Sequence, residues 1–305
     1  MSRAYGSSRA DAADWVAVAA SIAQASGLPF AIDACTPVGG GCINAGYRVS
    51  GAGRRYFVKL NRASREAMFQ AELEGLTAIA ATGTLRVPQP VCVGRDAERS
   101  WLALEHLELA QADSPTMAAL GERLAALHRW DAARFGWHRD NTIGATPQRN
   151  DWCADWVEFW RERRLAFQLR LAADNGHRGA LQRRGERLLQ RVEDFFAHDR
   201  PAPSLLHGDL WAGNAACTTG GEPVAFDPAC YYGDREADLA MTELFGGFAP
   251  AFYAAYRNAW PLPAGYAVRR ELYNLYHVLN HLNLFGGGYG AQAERMIERL
   301  LSEVR

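Results

Sequence analysis

His207-Gly208-Asp209-Leu210-Trp211-Ala212-Gly213-Asn214 is followed thirteen residues later by Asp227-Pro228-Ala229. An Asp with an Asn five residues on, and a second Asp beyond a short hairpin, supplies one base and two oxygen ligands for a hard cation such as Mg²⁺. A single Asp in a turn is commonly an Asx cap, whereas three oxygen-bearing side chains in this order form the pattern of a phosphoryl-transfer centre. Asp209 is the candidate base, with Asn214 and Asp227 the candidate metal ligands. His207 is expected to bond the backbone of this loop, because the chemistry needs only one base. Short β-like segments between Ser204 and Ala229 carry both strings and interrupt a region that is otherwise helical by pattern.

Transfer from a nucleotide also needs a loop over the phosphates, a cation on them and a carboxylate to orient that cation. Each has a candidate upstream. Gly39, Gly40 and Gly41 let backbone N–H groups approach phosphate oxygens, since no Cβ intervenes. One hairpin later comes Lys59, the only lysine among 33 Lys and Arg residues. A lysine surviving such a bias marks a place where a compact point charge on a thin stem is wanted and the wide fork of arginine is not. Its setting, Arg54-Arg55-Tyr56-Phe57-Val58-Lys59-Leu60, reads as a strand. Glu72 and Glu74 are the carboxylates on the next helical stretch. Glu72 flanks the apolar stripe of Leu73 and Leu76 and is the expected partner of Lys59, while Glu74 reads as part of a solvated face.

A chain of 305 residues exceeds one ordinary core, so two lobes are expected. A helix over Asp11–Ser26 ending at Gly27 leads into strands at Phe30–Val38, Ile43–Ser50 and the Lys59 run. A helix over Ser64–Ala81 follows, then strands at Val87–Val93 and Ser100–His106, with Pro88 and Pro90 placing the former at an edge. The expected fold class is therefore α+β: residues 1–108 form a small, nucleotide-binding antiparallel sheet lobe with one inserted helix. Residues 109–305 form a mainly helical lobe that is catalytic and substrate-binding, with long amphipathic stretches near Ser114–Arg129, Asp151–Ala173 and Arg178–Phe196. A net charge of −1 gives no general attraction to nucleic acid or anionic membrane. Without an 18-residue apolar run or a leader-like pattern, a cytoplasmic location is the expectation. Six cysteines without a Cys-x-x-Cys pair argue for free thiols.

The chain resembles the fructosamine kinase (ketosamine-3-kinase) family, relatives of the aminoglycoside and choline phosphotransferases. Nearly the whole length takes part. The motifs are Gly39-Gly40-Gly41-Cys42-Ile43-Asn44, Tyr56-Phe57-Val58-Lys59, Phe69-Gln70-Ala71-Glu72, Asp140-Asn141-Thr142-Ile143-Gly144, the His207 string, Asp227 to Met241, and Phe285-Gly286-Gly287-Gly288. The resemblance implies a protein-kinase-like two-lobe fold in which Asp209 accepts the proton, Asn214 and Asp227 hold Mg²⁺, and Lys59 paired with Glu72 orients ATP. His106, Leu107 and Glu108 would form the hinge that touches adenine through the backbone. The implied reaction is phosphorylation of the 3-hydroxyl of ketosamines, free or on glycated proteins, after which the adduct falls off its amine. Other acceptors of the aminoglycoside or choline kind, or a nucleotide-binding regulator without turnover, are the alternatives; the intact set Lys59, Asp209, Asn214 and Asp227 speaks against the regulator.

Four further features are read from the residues. Trp211 either stacks on a sugar or alkyl amine or fills the core. Asp234, where many relatives have His, is a candidate to face the substrate amine, and Asp238 is expected to brace the catalytic loop. Cys42 on the phosphate loop is either a redox-sensitive thiol, its pKa lowered by Lys59, or an inert small side chain. The nine arginines from Arg161 to Arg191, interspersed with Glu162 and Glu186, read as a solvated helical face and not as a nucleic-acid site.

Overall fold

The structure, a computed structural model, describes residues 15–39 and 43–304. Two compact units divide it: the described residues up to Leu73 with Pro88–Leu107 make one, and Glu74–Val87 with Glu108 onward make the other.

In the small unit α1 (Val16–Ser26) is stopped by Gly27. It precedes β1 (Ala34–Val38), β2 (Ala45–Gly51) and β3 (Arg54–Arg62). A 3₁₀ turn at Ala63–Arg65 opens α2 (Glu66–Ala81), whose residues from Glu74 on belong to the other unit, and β4 (Pro90–Arg95) and β5 (Arg99–Glu105) complete the sheet. Its order is β1-β2-β3-β5-β4, with every pair antiparallel. The proline-bearing β4 takes an edge, where a missing N–H breaks no ladder. β3 is central, and Lys59 sits in register between Gly46 and Leu102. Successive strand residues face opposite sides. Val58 therefore joins Val18, Ile22, Val49 and Trp101 in the core under α1, while Lys59 projects from the other face. In α2 the buried stripe is Phe69, Glu72, Leu76 and Ile79; Leu73 is only half-buried. Glu72 thus lies within the buried stripe and not beside it.

The large unit begins with β6 (Leu109–Ala110) and α3 (Ser114–Leu127), whose N-cap Asp113 accepts the Thr116 N–H. A hairpin of β7 (Asn141–Ile143) and β8 (Thr146–Gln148) follows, unforeseen in the sequence because each strand is only three residues long. α4 (Trp156–Phe159), a π-helical segment Trp160–Ala166 and α5 (Phe167–Asp174) make one continuous helical run. α6 (Ala180–Leu189) is followed by a 3₁₀ stretch at Val192–Phe196. Next come β9 (Ser204–Leu206), β10 (Ala215–Thr218), β11 (Pro223–Ala225) and β12 (Tyr231–Gly233). Four helices finish the chain: α7 (Arg235–Leu244), α8 (Pro250–Ala259), α9 (Tyr266–Phe285) and α10 (Tyr289–Glu303). α9 is buried at every position from Leu272 to Asn280, the mark of a helix enclosed on all sides.

One arginine departs from the solvated face expected of that run. Arg164 is fully buried in the π-helical segment. Its guanidinium lies 4.2 Å from the Tyr231 ring centroid and 4.6 Å from that of Phe159, and it donates to Asn150 Oδ1 at 2.8 Å. Aromatic faces and carbonyl-type oxygens replace its hydration.

Candidate active site

β9 delivers the chain into residues 207–209, whose backbone is held by α7. Asp238 Oδ2 accepts the His207 N–H at 2.7 Å and Oδ1 accepts the Gly208 N–H at 2.8 Å. This is the bracing expected of Asp238. Opposite, the Ala229 N–H donates to the His207 carbonyl at 2.8 Å. Gly208 has φ +83°, and a Cβ there would stand 2.1 Å from the Ala229 carbonyl oxygen, so only glycine fits.

The His207 ring lies fully buried. Nδ1 accepts the Asp209 N–H at 3.3 Å, and Nε2 donates to the Phe226 carbonyl at 3.1 Å. Burial lowers its pKa, so the ring is neutral and structural. Asp238 reaches further, to His128 Nε2 at 3.2 Å, while His128 Nδ1 meets the Tyr256 hydroxyl at 2.8 Å. Burial drives the His128 pKa down as well. Burial alone would raise the Asp238 pKa, yet it is lowered; the donated hydrogen bonds, more than any charge on His128, keep it ionised.

Asp209 and Asn214 are joined directly. Asn214 Nδ2 donates to the Asp209 carbonyl at 2.8 Å and to Asp209 Oδ2 at 3.2 Å. Its Oδ1 makes no hydrogen bond among the described residues. β10 and β11 pair with Ala215 opposite Ala225, and the Phe226 N–H donates to the Asn214 carbonyl at 3.0 Å. The hairpin therefore returns Asp227 to the end of the ladder where Asn214 stands, which explains the thirteen-residue spacing. Asp227 is exposed and has φ 59°, a left-handed conformation uncommon for non-glycine residues that Asp adopts more readily than most. Among the described residues no three His, Cys, Asp or Glu side chains could hold a metal together. One amide oxygen and one carboxylate suit Mg²⁺, which usually completes its shell with water and substrate phosphate.

In the small unit Lys59 Nζ lies 2.5 Å from Glu72 Oε1, with both side chains about nine-tenths buried or more. A Cβ on Gly39 would meet nothing within 4 Å among the described residues; Gly40, Gly41 and Cys42 lie outside them. His106 and Leu107 end the small unit, and Glu108 begins the large one, its carbonyl accepting the Thr219 N–H at 3.0 Å.

Trp211 is 37% exposed and meets Phe245 edge-on, so it is not core filler. Asp234 is buried. Its Oδ1 accepts the Glu236 N–H at 3.0 Å as the cap of α7, and its Oδ2 accepts the Tyr273 hydroxyl.

The fructosamine kinase family model matches residues 14–303. The chain belongs to the fructosamine kinase family. A probable ketoamine kinase of Synechocystis sp. is 50% identical over 293 residues, 95% of this chain and 97% of the relative. The chloroplastic protein-ribulosamine 3-kinase of Arabidopsis thaliana is 44% identical over 87% of this chain and 81% of its own. A crystal structure of a candidate fructosamine-3-kinase from Haemophilus somnus 129PT superposes with a TM-score of 0.87 at 29% identity, covering 94% of this chain and 97% of that one. An aminoglycoside phosphotransferase solved with ADP and hygromycin B shares the fold, with a TM-score of 0.62 at 13% identity over 94% of this chain and 98% of its own. The fold is protein-kinase-like.

This fructosamine kinase family member also carries site-bracing residues that sequence reasoning did not single out. Asn141 Nδ2 donates to the Cys230 carbonyl at 2.8 Å, and Gln148 Nε2 to the Ala229 carbonyl at 3.2 Å, fastening the segment after Asp227. Asn141 lies in a family motif, but its role depends on a partner 89 positions away. Glu74, about a third exposed, is paired on its solvated face: its oxygens take His138 Nε2 and Arg139 Nη1, each at 2.8 Å.

Proposed function

We propose that this chain is an ATP-dependent kinase of the 3-hydroxyl of ketosamines, with residues 1–108 binding the nucleotide and 109–305 carrying catalysis and the acceptor. Asp209 accepts the hydroxyl proton as the acceptor oxygen bonds to the γ-phosphorus. The bond from that phosphorus to the bridging oxygen breaks, and ADP leaves with the electron pair. Lys59, held by Glu72, contacts the phosphates, the backbone N–H groups of Gly39, Gly40 and Gly41 are the further phosphate contacts, and the backbone of His106, Leu107 and Glu108 meets adenine. Asn214 Oδ1 and Asp227 would hold Mg²⁺, which when bound supplies charge neutralisation at the phosphates. Exposed Trp211, two residues from the base, offers a ring face to the acceptor. The described cysteines are free, which accords with a reducing, cytoplasmic setting.

The observation that carries this reading is the Asp209–Asn214 hydrogen-bonded pair, in a chain half identical to a probable ketoamine kinase. The test is ATP consumption with ribulosyl-, erythrulosyl- and fructosyl-lysine beside choline and hygromycin B, the product being located by ³¹P NMR. A 3-phosphoketosamine is expected. Turnover confined to choline or hygromycin B, or no turnover at all, would refute it.

A further inference from the structure

Helix α2 bears two carboxylates that serve different ends. Glu72 holds Lys59 at 2.5 Å, and Glu74 holds His138 and Arg139, each at 2.8 Å. Residues two apart on a helix are separated by about 200° around its axis, so the pair grips from opposite sides of one turn. Next to Glu74 lies Gly75. A Cβ there would stand 3.1 Å from Cys230 Sγ and 3.5 Å from Pro228 Cγ, so α2 lies directly against the residues that follow Asp227. Glycine inside a helix is destabilising relative to alanine, and this close approach is its reason.

The anchor that receives Glu74 is itself hydrogen-bonded to its surroundings. Asp140 Oδ1 accepts the Asn150 N–H at 2.9 Å, and Asn141 ties the same loop to the Cys230 carbonyl. Loop 138–141 and turn 228–230 are thus one fastened piece, touching α2 at Glu74 and at Gly75. Both contacts belong to the large unit. A helix turns as a rigid rod over so short a distance, so whatever fixes Glu74 and Gly75 also fixes where Glu72 points.

We propose that Arg139, assisted by His138, is a positioning residue for phosphoryl transfer: its grip on Glu74 sets the rotation of α2 about its axis and so presents Glu72 to Lys59. This rests on the kinase reading above and adds to it a residue outside the reacting centre. Burial would raise the Glu74 pKa, but the two donors outweigh it and hold the carboxyl below its ordinary range, so the latch stays charged at neutral pH.

The test measures AMP-PNP affinity by calorimetry and kinetics with ribulosyl-lysine in Arg139→Ala, Arg139→Lys, Glu74→Gln and the Arg139→Ala/Glu74→Gln double variant. In Arg139→Ala and in Glu74→Gln, nucleotide affinity should fall and KM for ATP rise about fivefold, the scale of a half-exposed ion pair, with kcat changed less than about twofold. The double variant should be no worse than either single one, and Arg139→Lys should recover most of the loss. Affinity unchanged in Arg139→Ala, or additive losses in the double variant, would overturn the latch. Calorimetry needs no acceptor. Wild-type protein that binds AMP-PNP but leaves ketosamines untouched would therefore sink the substrate reading alone, and failure to bind nucleotide would sink both.

Discussion

Asp234 and Asp238 stand one helical turn apart at the start of α7, both buried, and their carboxyls are shifted in opposite directions. Asp238 receives three donors, two of them the backbone N–H groups of His207 and Gly208, and is held below the ordinary carboxylate range. Asp234 receives two donors and has the Glu236 carboxylate nearby; burial first, and that charge second, push it up to about 7. Burial is common to both. The number of donors and the sign of the neighbour decide the outcome. The loop bearing Asp209, the proposed base, is thus braced by an acid held in its ionised form, while burial pushes the acid one turn earlier up to about 7.

Replacing Asp238 should break this contrast with the largest effect. In Asp238→Asn the amide can accept one loop N–H but turns its own N–H₂ toward the other, leaving buried groups unsatisfied. Chemical denaturation should show a loss of about 3 kcal/mol. A loss below about 1 kcal/mol would show that the loop does not depend on this carboxylate.

Asp234→Asn sharpens the contrast through pH. A carboxyl whose folded pKa lies above its unfolded value binds protons more tightly in the native state, so its stabilising contribution is full below about 4 and is lost as pH rises through about 7. Thermal melts of wild-type protein should decline across that window, and the variant should flatten the decline. An unchanged slope would mean that Asp234 does not titrate there.

The smallest effect is expected of Tyr273→Phe, which removes the hydroxyl donor from Asp234. It should destabilise by about 1 kcal/mol at pH 8 and less at pH 4, since the hydroxyl favours the ionised carboxylate. Equal losses at both pH values would contradict that assignment.

What was legible in the sequence follows the range of each interaction. The five strands of the small unit, the edge position of β4 and the end of α1 at Gly27 come from alternation and turn chemistry, which are local, whereas the strand order does not. The partnership of Lys59 with Glu72 and the structural part of His207 were also legible, because residue type and spacing restrict them. The partners of Glu74 are not legible, because they lie 64 and 65 residues away. Arg164 could not be told from the exposed arginines beside it, since burial depends on rings from Tyr231 and Phe159 closing over it. The three-residue strands β7 and β8 are too short to show a period.

The central claim is that Asp209 takes a proton from a ketosamine hydroxyl during transfer from ATP. Single-turnover phosphate transfer to ribulosyl-lysine in Asp209→Asn, measured with AMP-PNP binding on the same preparation, tests it directly. The account predicts transfer slowed by about 10²- to 10⁴-fold with nucleotide still bound, because an amide cannot accept that proton. Transfer at the wild-type rate would contradict it.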